Sequence, residues 1–138
     1  MTPTTPPPIG LLLQQADSAI TAAFERALGE RGVDRVQWQY LHAVGHHPEG
    51  ATAQDIAGAM PPGPTDGEVA AAAAEVAARG WTTDHDGRVT LTPDGVAALA
   101  ELREEVAALR DTSVEGVSAA DYATTIATLQ RMIVNLAE

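Results

Sequence analysis

Apolar residues between positions 9 and 28 recur at helical spacing: Leu12, Leu13, Ala16, Ala19, Ile20, Ala23, Phe24 and Ala27. This predicts a first helix over 9–28, ended by Gly29 or Gly32. A second helix is expected over 34–45, with Asp34 as its cap and Val33, Gln37, Tyr40, Leu41 and Val44 as its core stripe. Trp38, His42 and His46 sit four apart and line a neighbouring stripe. Thr52 caps a short helix to about 59 with Ile56 inward, and Pro61-Pro62-Gly63-Pro64 turns the chain. Thr65-Asp66-Gly67-Glu68 is a capping box, so the helix that follows, to about 79, has a defined start. Val69, Ala72, Ala73 and Val76 give it a buried face, leaving Glu68, Ala71, Ala74, Glu75 and Ala78 outward.

The period then changes. Trp81-Thr82-Thr83 and Val89-Thr90-Leu91 read as two strands joined at Asp86-Gly87, a pair suited to a turn that needs positive φ at both positions. Thr92-Pro93 opens a long helix, Thr as cap and Pro at the first helical position. Its apolar residues are Val96, Leu99, Ala100, Leu102, Val106 and Leu109, continuing to about 110. After a break at 111–118 a last helix runs over 119–136, with Tyr122, Ile126, Leu129, Ile133 and Leu136 on one stripe. Residues 1–8 are almost wholly Thr and Pro and are expected to be a disordered, extended arm.

Two short helices, a capped second helix and a hairpin make a winged helix-turn-helix. The run from Arg79-Gly80-Trp81 through the hairpin to Leu91-Thr92-Pro93-Asp94-Gly95 resembles the MarR family of bacterial ligand-responsive transcription regulators. The resemblance covers about 9–136. It implies a mainly α fold, a single domain over 9–138 with a winged-helix core at 34–95, a two-stranded wing, here shorter than the family's, and N- and C-terminal dimerisation helices at 9–29 and 93–137. It further implies a homodimer on double-stranded DNA, tuned by a small aromatic ligand beside the second helix. By position, the DNA contacts would be Thr52, Gln54, Thr65, Glu68, Ala71, Arg79 and Arg88. The ligand pocket would be lined by Phe24, Trp38, Tyr40, His42 and His46.

Charge runs against DNA readout. Eight Arg and no Lys face 19 Asp plus Glu, a net charge of −11, whereas nucleic-acid binders carry a basic face that displaces counterions from phosphates. On the reading helix alanine offers only contact with a thymine methyl, and Glu accepts only from cytosine. The wing holds a single Arg, Arg88, between Asp84, Asp86 and the strands. A second reading therefore stands beside the first: a degenerate relative that has left DNA and binds or transforms a small aromatic molecule in the pocket. A third is an acidic module that pairs with another protein's basic groove.

Other chemistry is sparsely represented. With no cysteine, disulfides, thiolate metal sites and thiol nucleophiles are excluded. His42 and His46 have the spacing of two metal ligands, but His-x-x-x-His lacks a metalloprotease Glu, so no metal or cofactor is assigned. No Gly-x-Ser-x-Gly and no Gly-rich phosphate loop follows a strand, so no catalytic residue is named and an enzyme is not indicated. No run approaches membrane-spanning length, and the Pro-rich start does not match a signal peptide, so the expected location is the cytoplasm.

Overall fold

The computed structural model describes residues 5–137. Six helices and one hairpin follow in order: α1 (Ile9–Gly29), α2 (Arg35–Gly45), α3 (Ala53–Ala59), α4 (Asp66–Ala78), β1 (Thr82–His85), β2 (Arg88–Leu91), α5 (Pro93–Ser113) and α6 (Ala119–Leu136). The expected winged helix-turn-helix is present, element by element. Half of the Thr/Pro arm lies outside the described residues; Pro8 accepts the Leu11 and Leu12 amides as the start of α1.

Local chemistry sets each boundary. Asp34 and Gln37, Thr52 and Asp55, and Thr65 and Glu68 form reciprocal capping boxes at the starts of α2, α3 and α4, each satisfying two helix-end amides that would otherwise lack partners. Gln37 is therefore occupied at the helix start and is only half-buried, which corrects its place in the expected core stripe. Asp86 and Gly87 adopt φ of 54° and 83°, the left-handed pair the turn needs. The strands pair antiparallel from Thr82 with Leu91 to His85 with Arg88, two residues further toward the turn on the first strand than the sequence suggests. Ala51 adds a bridge to Val89, exchanging hydrogen bonds of 2.8 and 2.9 Å. The wing is thereby tied to the residue that precedes α3.

The chain divides into two compact units, one ending at Val106 and the other beginning at Ala107. In the first, α2 packs on α1, α3, α4 and β2. Leu28, Leu41, Val44, Val76, Leu102 and Val106 are among its fully enclosed residues, with Trp38, Tyr40 and Leu99 also buried. On α5 the buried residues are Gly95, Leu99, Leu102 and Val106, while the apolar Val96 and Ala100 are exposed. Gly95 packs directly on the Trp81 backbone: a Cβ there would overlap the Trp81 carbonyl oxygen and lie 2.9 Å from its carbon. In the second unit, α6 is capped by Ser118 and buries none of its residues. No helix among the described residues is long and apolar enough to cross a membrane.

Candidate functional site

The candidate reading head is α3, the Pro61–Pro64 turn, α4 and the wing. Glu68, Ala71, Ala74, Glu75 and Ala78 are all exposed on α4, as their spacing predicts. The hydroxyls of Thr52 and Thr65 each accept an amide hydrogen bond at 3.1 Å, from Asp55 and Glu68, and so serve first as helix caps. The Glu68 carboxylate completes its box by accepting from the Thr65 amide at 3.2 Å. Gln54 is exposed in the first turn of α3.

Arg79 is engaged within the chain. Its guanidinium donates to the carbonyls of Arg31, at 3.1 Å, and Gly32 in the α1–α2 loop. It also stacks 4.8 Å from the Trp81 ring centroid and lies 3.8 Å from Glu75. Such a side chain holds the reading helix to the loop and the wing base, which is a packing role. Two cations outside the reading head, Arg31 on the α1–α2 loop and Arg35 on α2, are likewise committed. Arg31 pairs with Glu101 at 2.6 Å and Glu105 at 2.8 Å. Arg35 reaches Thr21 at 2.8 Å and Asp17 at 3.5 Å while covering the Phe24 ring.

Arg88 is exposed on the wing and lines a polar cavity of about 390 Å³ with His46, His47, Glu49 and Asp55. There the Thr52 amide and hydroxyl, with smaller help from His47 and Arg88, hold the Asp55 carboxyl below the usual carboxylate range. Between positions 52 and 91 two Arg stand against six acidic residues. With Arg79 turned inward, the exposed reading surface presents Glu68, Glu75, Asp84 and Asp86 around the one wing cation.

The five pocket candidates divide. Trp38, His42 and His46 form one run of rings along α2, with centroids 5.1 Å and then 4.6 Å apart. Trp38 is buried, His42 is half-buried and His46 is exposed. Phe24 is half-buried under Arg35. Tyr40 points elsewhere: it lines a cavity of about 710 Å³ with α3, the proline turn, α4 and the hairpin. Sequence reasoning did not find this second cavity. The signal for it was the proline run itself, which spaces α3 from α4, together with Asp84, which the sequence suggested only as a charge opposing Arg88. Asp17 is taken up by Arg35, and among the described residues no three His, Asp or Glu side chains gather as a metal site.

No family model matches the sequence, and no curated protein is significantly similar to it. Solved structures do match, over nearly the full length. A MarR family transcriptional regulator from Silicibacter pomeroyi superposes with a TM-score of 0.79 at 17% identity, covering 94% of this chain and 93% of that one. BpsR of Bordetella bronchiseptica, from a study of how 6-hydroxynicotinic acid regulates its DNA binding, gives 0.79 at 22% identity, covering 96% and 99%. CouR of Rhodococcus jostii, bound to p-coumaroyl-CoA, gives 0.76 at 19% identity, covering 91% of each chain. These superpositions show that the chain has the fold of the MarR family transcriptional regulators.

Proposed function

We propose that the protein is a ligand-responsive transcription regulator that works as a homodimer and binds DNA weakly. The observation that carries the reading is that both parts of a winged reading head are intact: α4 has a fully exposed outer face, and a hydrogen-bonded wing is tied to the start of α3. Phosphate contacts by backbone amides and helix ends position such a head without requiring Arg. The exposed apolar stripes of α1 and α6 support a dimer, since a second copy supplies the cover that α6 lacks. The Trp38–His42–His46 run, with Phe24 on α1, supports a small aromatic ligand beside α2; among the structural neighbours, CouR is bound to p-coumaroyl-CoA and the DNA binding of BpsR is regulated by 6-hydroxynicotinic acid.

A second reading is favoured by one specific observation, the acidic reading surface with Arg79 committed inward. In this reading the protein keeps the dimer and the aromatic pocket and has given up DNA. Titration of a mixed-sequence duplex at low salt, repeated at rising salt, separates the two. Binding that weakens with salt means that phosphate contacts survive the −11 charge. No binding at the lowest salt overturns the regulator reading and leaves the second.

A further inference from the structure

The cavity beneath the reading head is built for a guest of a particular charge. Its volume of about 710 Å³ falls within the roughly 300–1,000 Å³ of small-molecule sites. Ile56 and Met60 of α3, Val69 and Ala73 of α4, and Val89 of β2 give it apolar walls. Three lining groups are polar or charged side chains: Tyr40, Asp66 and Asp84.

Tyr40 is only 5% exposed, yet its hydroxyl makes no hydrogen bond among the described residues. The hydroxyl is not sealed in: it opens onto the cavity, where a polar guest can meet it while the ring stays packed. Burial, and then the charge of Asp84, push its pKa up, so the ring carries a neutral hydroxyl at physiological pH. Asp84 is itself held in place, its Oδ1 accepting the Gly87 amide at the wing turn at 3.0 Å. A carboxylate has capacity for further donors beyond that one bond. Asp66 stands at the first turn of α4. No Arg or His lines the cavity; Arg88, on the same hairpin, lines the separate polar cavity with Asp55.

An anion entering this space would meet two carboxylates and no counter-charge. A neutral molecule would gain only from the apolar walls, because the two carboxylates, exposed at the cavity's edge, would offer it no charge to pair with. An apolar cation satisfies every group at once. From this arrangement of an unpartnered buried tyrosine, two carboxylates and apolar walls, we infer that the cavity between the helix-turn-helix and the wing binds a small apolar cation, an aromatic amine protonated at neutral pH. The ammonium donates to Asp84 and Asp66, the Tyr40 hydroxyl closes on the guest, and the ring lies against Ile56, Val69 and Val89. An occupant of this kind links α3, α4 and the wing through one molecule. The site shares no residue with the Trp38–His42–His46 run and requires neither DNA nor a dimer, so it stands or falls separately from the proposed regulatory role.

The test uses three probes on one skeleton, naphthylmethylamine, naphthylmethanol and naphthoate, titrated into the full chain by calorimetry and by amide NMR. The amine should bind, with shifts centred on Ile56, Val69, Asp84 and Val89, while the alcohol binds more weakly and the acid not at all. Asp84→Asn keeps an oxygen for the Gly87 amide and should weaken the amine about tenfold, the loss of one charge-assisted hydrogen bond. Tyr40→Phe, which keeps the ring, should weaken it severalfold and serves should the first variant lose its fold. Equal binding of the three probes, absence of amine binding, shifts confined to the Trp38 face, or an unchanged affinity in a folded Asp84→Asn or Tyr40→Phe variant would each overturn the proposal.

Discussion

The Arg79 guanidinium lies over the Trp81 indole, 4.8 Å from its centroid, and reaches past it to the carbonyl oxygens of Arg31 and Gly32. One side chain thus joins the end of α4, the base of the wing and the α1–α2 loop. Arg79→Ala should cost about 1–3 kcal/mol of stability, from two charge-assisted hydrogen bonds and a cation–π contact. If Arg79 served DNA instead, its loss would lower the salt dependence of duplex binding by about one phosphate. Chemical denaturation should therefore show the change, and the salt slope should not.

The outer face of α4 can be tested by adding what it lacks. Ala71 and Ala74 are exposed and take part in no cap or ion pair, and arginine is nearly as good a helix former as alanine. The double variant Ala71→Arg, Ala74→Arg should leave stability almost unchanged. If the reading head approaches DNA through this face, affinity for a mixed duplex should rise, and the salt slope should steepen by up to about 0.9 for each new phosphate contact. An unchanged affinity and slope in the folded variant would show that α4 does not meet the duplex, and would favour the second reading of the protein.

How much of this was legible in the sequence follows from how local each signal is. The caps at Asp34, Thr52 and Thr65, the Asp86-Gly87 turn and the Thr92-Pro93 helix start are written in residues three or fewer apart, and each appears where the pattern places it; only the Thr65–Glu68 box is read from sequence, and the reciprocity of the other two caps is added by the structure. Arg79 was legible as a cation at the right position, but its orientation depends on carbonyls 47 and 48 residues away. Gly95 was legible as part of a motif, while its reason, close approach to the Trp81 backbone, is a tertiary one. Tyr40 fell on the buried stripe of α2 with Leu41 and Val44, and nothing within its own helix indicates that it opens onto a cavity formed by α3, α4 and the wing. Periodicity specifies which face is buried. It does not specify what lies across from it.

Acid should loosen the start of α3 through Asp55. The Thr52 amide hydrogen bond first, then its hydroxyl, His47 and Arg88, hold the Asp55 carboxyl below its ordinary range in the folded chain. A carboxyl with a depressed folded pKa contributes stability that is present above its unfolded pKa, about 3.9, and is lost as pH falls through the folded value. Asp55→Asn should thus destabilise the protein at neutral pH, and the gap between variant and parent should narrow in urea melts run below about pH 4. A gap of constant size across that range would show that the charge of Asp55 does not contribute and that only its shape at the cap matters.

The apolar face of α6 provides the sharpest test of assembly. Ile133 is 66% exposed and Leu136 82% exposed, and no residue of the helix is buried by its own chain. A helix with such a stripe gains little from folding alone and much from a partner, because burying one large aliphatic side chain is worth about 1.5–3 kcal/mol. Ile133 belongs to the second unit and is not one of the buried core residues, so the fold of the first unit should survive its replacement by Glu. In a dimer formed through α6 the substitution would place two charges, one from each copy, in an interface that was apolar, and the two-fold axis doubles the penalty. Sedimentation of the parent chain should give a dimer, and Ile133→Glu should shift it toward monomer in a concentration-dependent way with little change in helix content by circular dichroism. A parent chain that sediments as a monomer at all concentrations would remove the dimer. A dimer unaffected by Ile133→Glu would move the interface off α6 and leave the stripe on α1, with Leu12, Leu13 and Ile20, as the surface to change next.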